Sequence, residues 1–139
     1  MKIKIFLIIG ILIIGLLAIG CKKAAAASQD ASFLLLNNVA ATGAGSAQSS
    51  AGNAAFRTWG CTAIITGSPT AVTVDLEGDV GGTGKYSQMT TTIFSAGELT
   101  AGFATRGADA QVARSVRGNV TALTGGTSPK VTLFCTGVN

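Results

Sequence analysis

The chain has 139 residues with ten Lys and Arg against six Asp and Glu, a net charge of +4, and no His. The missing His removes the commonest general base, Ser-His-Asp and Cys-His arrangements, and the usual zinc sites. The cations Arg57, Lys85, Arg106, Arg114, Arg117 and Lys130 are scattered with no interleaved aromatics, which excludes a nucleic-acid groove.

The first segment, residues 1–20, is read as an export signal. Lys2 and Lys4 precede an apolar run from Ile5 to Ile19, and Gly20-Cys21 places a small residue before a thiol. The run Leu17-Ala18-Ile19-Gly20-Cys21 resembles the lipobox of bacterial lipoproteins. That resemblance implies cleavage before Cys21, acylation of its thiol and a lipid anchor. An uncleaved membrane anchor is an alternative, because the run is near the lower limit for crossing a hydrocarbon core of about 30 Å. Ordinary secretion is another. Loss of residues 1–20 would remove two lysines and leave a net charge of about +2.

Residues 21–30 read as a flexible tether, too short to hold a helix alone. The remainder, 31–139, is long enough for one domain with its own core. Gly, Ala, Thr, Ser and Val dominate it and charged residues make up only 12% of the chain, which suits an all-β domain with hydroxyl-covered faces.

The elements follow in order. Ser32 to Val39 is an apolar strand, and Ala41 to Asn53 is a Gly/Ser/Ala loop or weak strand. Phe56 to Thr66 is a strand ended by the turn Gly67-Ser68-Pro69. From Ala71 to Gly78, Val72, Val74 and Leu76 alternate with Thr73, Asp75 and Glu77, so the valine side should face the core. The glycines between Gly78 and Gly84 predict a hairpin turn. Tyr86 to Ser95 returns, Ala96-Gly97 turns, and Leu99 to Thr105 is a short strand. Val112 to Leu123 is a long strand with Val112, Val116, Val120 and Ala122 on one side and a bulge expected at Gly118. Gly125 to Pro129 turns, and Val131 to Thr136 is the last strand. These seven to eight strands predict a single antiparallel β-sandwich or jelly-roll-like domain, with no helix of note after residue 31.

The segments LLNNVAATGAGSAQ, TAVTVDLEGDVGGTG and ARSVRGNVTALTGGTSPKVTL, in that order, resemble a small β-sandwich module of tailed-phage head and tail structural proteins. The resemblance covers about residues 34–136 and is closest over NVTALTGGTSPKVTL. It implies a sandwich fold and a structural or display role, and it supplies no catalytic residues.

Candidate chemistry is sparse. Gly81-Gly82-Thr83-Gly84-Lys85 lacks the spacing of a phosphate loop and reads as a turn. Asp75, Glu77 and Asp79 place three carboxylates at period two on one strand face and its exit. Solvent, Arg114 and Arg117, or a Ca²⁺ ion could offset their repulsion, and a paired-carboxylate glycosidase is a further alternative. Cys61 and Cys135 form an even pair once Cys21 is acylated. A disulfide between them would close a loop of about 74 residues and stabilise by roughly 4 kcal/mol. Two buried free thiols are the alternative. Most aromatics should be core, although Trp59 and Tyr86 could form a sugar-stacking platform.

No catalytic residue, resident metal or cofactor is assigned. The expected function is a non-enzymatic structural or adhesive surface protein, anchored to the envelope through Cys21. One alternative is a virion or extracellular-filament subunit in which Phe33 to Val39 adds to a neighbour's sheet edge. A carbohydrate-binding module is the other. The expected partners are accordingly a membrane, a protein or second copy, or a glycan, and not nucleic acid.

Overall fold

The computed structural model describes residues 30–49 and 55–139. The expected signal and Cys21 lie outside the described residues, as does most of the tether. Nine strands are present among the described residues: β1 (Asp30–Val39), β2 (Gly43–Ala44), β3 (Gln48–Ser49), β4 (Thr58–Thr66), β5 (Ala71–Asp79), β6 (Ser87–Ile93), β7 (Phe103–Ala108), β8 (Ser115–Thr124) and β9 (Lys130–Val138). A single short helix among them, α1 (Ala96–Ala101), joins β6 to β7.

The strands form two antiparallel sheets. Sheet I has the order β1-β9-β4-β7; sheet II has the order β2-β8-β5-β6, with β3 also paired to β8. Alternation explains how they pack. Trp59, Cys61, Ala63 and Ile65 of β4 point inward, as do Val131, Leu133 and Cys135 of β9. They meet Val72, Val74 and Leu76 of β5 and Val116 and Val120 of β8 in one shared core. The architecture is the β-sandwich expected from the strand pattern.

Bulges decide where regular alternation is broken. On β1, Leu34 pairs with Phe134 but Leu36 with Leu133, so Leu35 is the extra residue and both Leu35 and Leu36 are buried. On β8 the extra residue is Thr121, between the pairs Val74 with Val120 and Thr73 with Ala122. This corrects the expected bulge at Gly118 and turns Ala122 to the face opposite Val120. Val112 lies before β8 and is exposed, so it does not share that side either. Gly118 has a different role. A Cβ there would lie 2.7 Å from Leu36 Cγ and 2.8 Å from Leu133 Cδ2, so its bare backbone makes room for two core leucines.

The helix is the other departure from expectation, replacing the first half of the strand predicted over Leu99–Thr105. Ser95 caps it: its side chain accepts from the Glu98 N–H at 3.3 Å, while the Glu98 carboxylate accepts from the Ser95 N–H at 2.9 Å. Gly102, at φ 81°, ends it in a left-handed turn and releases the chain into β7.

At one end of the sandwich two turns lock together. The Thr127 N–H donates to the Gly67 carbonyl at 2.7 Å. A Cβ on Gly67 would lie 2.8 Å from Pro129 Cα, and Gly67 has φ 81°, so sterics and backbone conformation both demand glycine there. Toward the other end, Phe33, Phe56 and Trp59 stack with centroids 5.5–5.9 Å apart and fill the space left by Gly137.

Candidate functional site

The densest group of polar side chains lies on the outer face of sheet II. β5 is a central strand between β8 and β6, so turning its valines inward sends Thr73, Asp75 and Glu77 outward. The register then fixes their neighbours. Asp75 is opposite Asn119 and Thr91, and Glu77 is opposite Arg117 and Gln88.

Glu77 is held on both oxygens. Arg117 Nε donates to Oε2 at 2.6 Å, and Asn119 Nδ2 donates to Oε1 at 2.9 Å. The Arg117 guanidinium also lies 4.3 Å from the centre of the Tyr86 ring, a cation–π contact. Ser115 Oγ donates to the Gln48 carbonyl at 3.2 Å, which leaves it to accept the Tyr86 hydroxyl proton at 2.8 Å. Carboxylate, guanidinium, phenol and hydroxyl thus form a chain that ties β5, β8 and β3 together. Arg117 is one of the two arginines expected to offset the carboxylates. Arg114 meets this group through its backbone, its N–H donating to the Asp79 carbonyl at 3.1 Å.

Asp79 organises the loop after β5. Its Oδ1 accepts from the Gly81 N–H at 3.0 Å and the Thr83 hydroxyl at 3.4 Å, and its Oδ2 from the Gly84 N–H at 2.6 Å. Burial pushes this carboxyl upward, but the N–H groups of Gly84, Thr83, Gly81 and Gly82 outweigh it and hold the group below its ordinary value.

Asp75 differs from both. It points outward as expected, yet its neighbours cover it to 9% exposure, and Oδ1 has no hydrogen-bond partner among the described residues. The three carboxylates therefore share a face without converging on a point. Among the described residues, no group of three or more acidic or cysteine side chains is placed to hold a metal ion. Glu77 is engaged by Arg117 and Asn119, and Asp79 by its own loop.

The remaining candidates separate. Cys61 and Cys135 are directly opposite on β4 and β9 and are joined in a disulfide. β9 lies between β4 and β1 and neighbours both. Trp59 is 2% exposed and its Nε1 donates to the Gln111 carbonyl at 3.1 Å. It is a core residue, and the platform with Tyr86 does not form. Phe103 and Phe134, by contrast, are exposed on sheet I rather than buried.

A second charged pair escaped the sequence reading. Arg106 Nη1 and Nη2 donate to Glu98 Oε1 and Oε2 at 2.8 and 3.1 Å, joining α1 to β7. Hydrogen bonding from Arg106, with further bonds from Ser95, lowers the Glu98 carboxyl to about 2. The available signal was the Ser95-x-x-Glu98 spacing of a capping box. No helix among the described residues is long and apolar enough to cross a membrane.

No protein-family model matches the chain, and no curated protein matches it in sequence. Among solved structures it is similar to the SPBc2 prophage-derived protein YomS, at 18% identity and a TM-score of 0.52, over 81% of this chain and 95% of that one. It is also similar to the PBSX exported protein XepA, at 16% identity and a TM-score of 0.51, over 81% of this chain. This chain spans 39% of XepA. At such identities the likeness is one of fold, and at that level it agrees with the phage-type module to which NVTALTGGTSPKVTL pointed.

Proposed function

We propose that the protein is a non-enzymatic structural or adhesive β-sandwich held at a cell envelope through an acylated Cys21. The supporting observation is the disulfide between Cys61 and Cys135, both buried in the core. Such bonds persist in oxidising compartments, which matches the export signal at residues 1–20. The polar face of sheet II fits a structural role, since its carboxylate, guanidinium and phenol bind one another across strands. Replacing Cys21→Ser tests the anchor: metabolic labelling with palmitate should vanish and the folded protein should leave the membrane fraction. Retention of the unlabelled variant in membranes would assign the attachment to an uncleaved apolar segment instead.

A second reading, a virion or filament subunit, has its own support. β1 is an outer strand of sheet I, with β9 as its one hydrogen-bonded neighbour among the described residues. Its ten residues offer an edge to which another chain could add. The N-terminus distinguishes the two readings: an acylated Cys21 supports the anchor, and an intact Met1 in purified particles supports the subunit.

A further inference from the structure

The outer face of sheet I carries an apolar stripe that crosses all four strands. Leu34 on β1 is opposite Phe134 on β9; one diagonal step away, Ile64 on β4 is opposite Phe103 on β7. These four are 43%, 47%, 41% and 53% exposed. Elsewhere on this face the strands present threonines, glycines, Ser32, Val138 and Lys130, and one carboxylate, Asp30, opposite Val138 at the start of β1. The outer face of sheet II instead holds Asp75, Glu77 and Arg117. The sandwich is therefore two-sided, with one face striped with hydrocarbon and carrying only Asp30 and Lys130 near its opposite ends, the other cross-linked by charge.

We infer that the striped face of sheet I rests on the lipid surface to which the chain is tethered. This deepens the envelope-anchor reading and rests on it. Two observations favour a bilayer as the occupant. First, β1 belongs to this sheet and begins at Asp30, only nine residues after Cys21. Nine residues reach at most about 30 Å, so an acylated Cys21 keeps this edge close to the headgroups. Second, the face has the chemistry of an interfacial surface. Phenylalanine, leucine and isoleucine side chains can enter the acyl boundary, while threonine hydroxyls hydrogen-bond to headgroups.

The test uses the full acylated chain on vesicles of equimolar phosphatidylcholine and phosphatidylglycerol with brominated acyl chains. Bromine quenches tryptophan at the bilayer, and the buried Trp59 gives a common background. Phe103→Trp and Phe134→Trp place reporters on the striped face, and Gln88→Trp places one on sheet II. Flotation with the vesicles and roughly two-fold greater quenching at both striped-face reporters than at Gln88→Trp is the expected result. Flotation with equal quenching at all three overturns the docking and leaves the anchor standing. Failure to float overturns the anchor reading and the docking with it. Concentration-dependent dimerisation of the chain in detergent, abolished by Phe103→Ser and Phe134→Ser, would assign the face to a second copy and also overturn the proposal.

Discussion

Cys61 and Cys135 face each other across sheet I with their Cα atoms 4.1 Å apart, although 74 positions separate them in the chain. The bond joins strands whose ladder already runs from Thr58 to Thr66, so in the folded state it adds little to the pairing. Its effect falls on the unfolded chain, which it holds in a large loop. Cys61→Ala with Cys135→Ala should retain the fold and lower the unfolding free energy by about 2–4 kcal/mol, read from urea midpoints. Thiol titration of the native protein, purified without reductant, should find neither thiol free.

Changes of charge along β5 should act according to the partners each side chain has. Val74 is buried among apolar side chains, and Val74→Asp should cost several kcal/mol and unfold the domain. Glu77→Gln breaks the contact with Arg117 while keeping shape, at a cost of about 1–2 kcal/mol. Asp75→Asn should do the reverse and raise the melting temperature, because it removes a covered carboxylate oxygen that lacks a donor. A lower melting temperature for Asp75→Asn would show that a donor or cation reaches that oxygen.

Gly118 is expected to be intolerant of a methyl group. With Leu36 and Leu133 in the space a Cβ would take, Gly118→Ala should destabilise by about 1–3 kcal/mol. Combining it with Leu36→Ala should cost less than the two changes separately, since removing the Leu36 Cγ yields the space. Chemical denaturation of the four proteins in the cycle measures the coupling.

The acid response should depend on Glu98. Its folded value of about 2 lies below the ordinary 4.5. Its contribution is therefore fully present above the ordinary value and is lost as pH falls toward the folded one. Melting temperatures across that window should fall less steeply for Glu98→Gln than for the unmodified protein. Asp79, also held below its ordinary value, should shape the remaining acid loss in the same direction.

Where one strand face is core and the other polar, the sequence is directly readable, and Val72, Val74 and Leu76 fall inward as their alternation predicts. Where both faces are similar it is not. The run Leu34-Leu35-Leu36 contains no period, and only pairing with β9 decides which leucine is left outside. Ala122 changes sides because Thr121 is extruded by a register set against β5, which nothing local encodes. α1 is only six residues long, so Leu99 resembled a strand start, although Ser95 and Glu98 carried the helix signal. β2 and β3 are two residues each in a Gly/Ser/Ala segment and owe their conformation to β8. Much the same holds for the polar face. The carboxylates of β5 were evident, and so was Arg117 as a counter-charge. Asn119, Tyr86 and Ser115 were not, because cross-strand neighbours depend on long-range register.

The place of β9 has a consequence for how the chain becomes a domain. The last strand enters between β1 and β4, giving β1 its pairing from Asp30 with Val138 to Val39 with Val131. Until Lys130 to Val138 have been synthesised, sheet I has a vacancy at its centre and the first strand has no ladder to join. Contacts of such long range make closure slow relative to local structure and disfavour a folded state while the C-terminal segment is still being made. The chain would thus stay open until β9 is made, and the two sheets would close over their shared core in one late step.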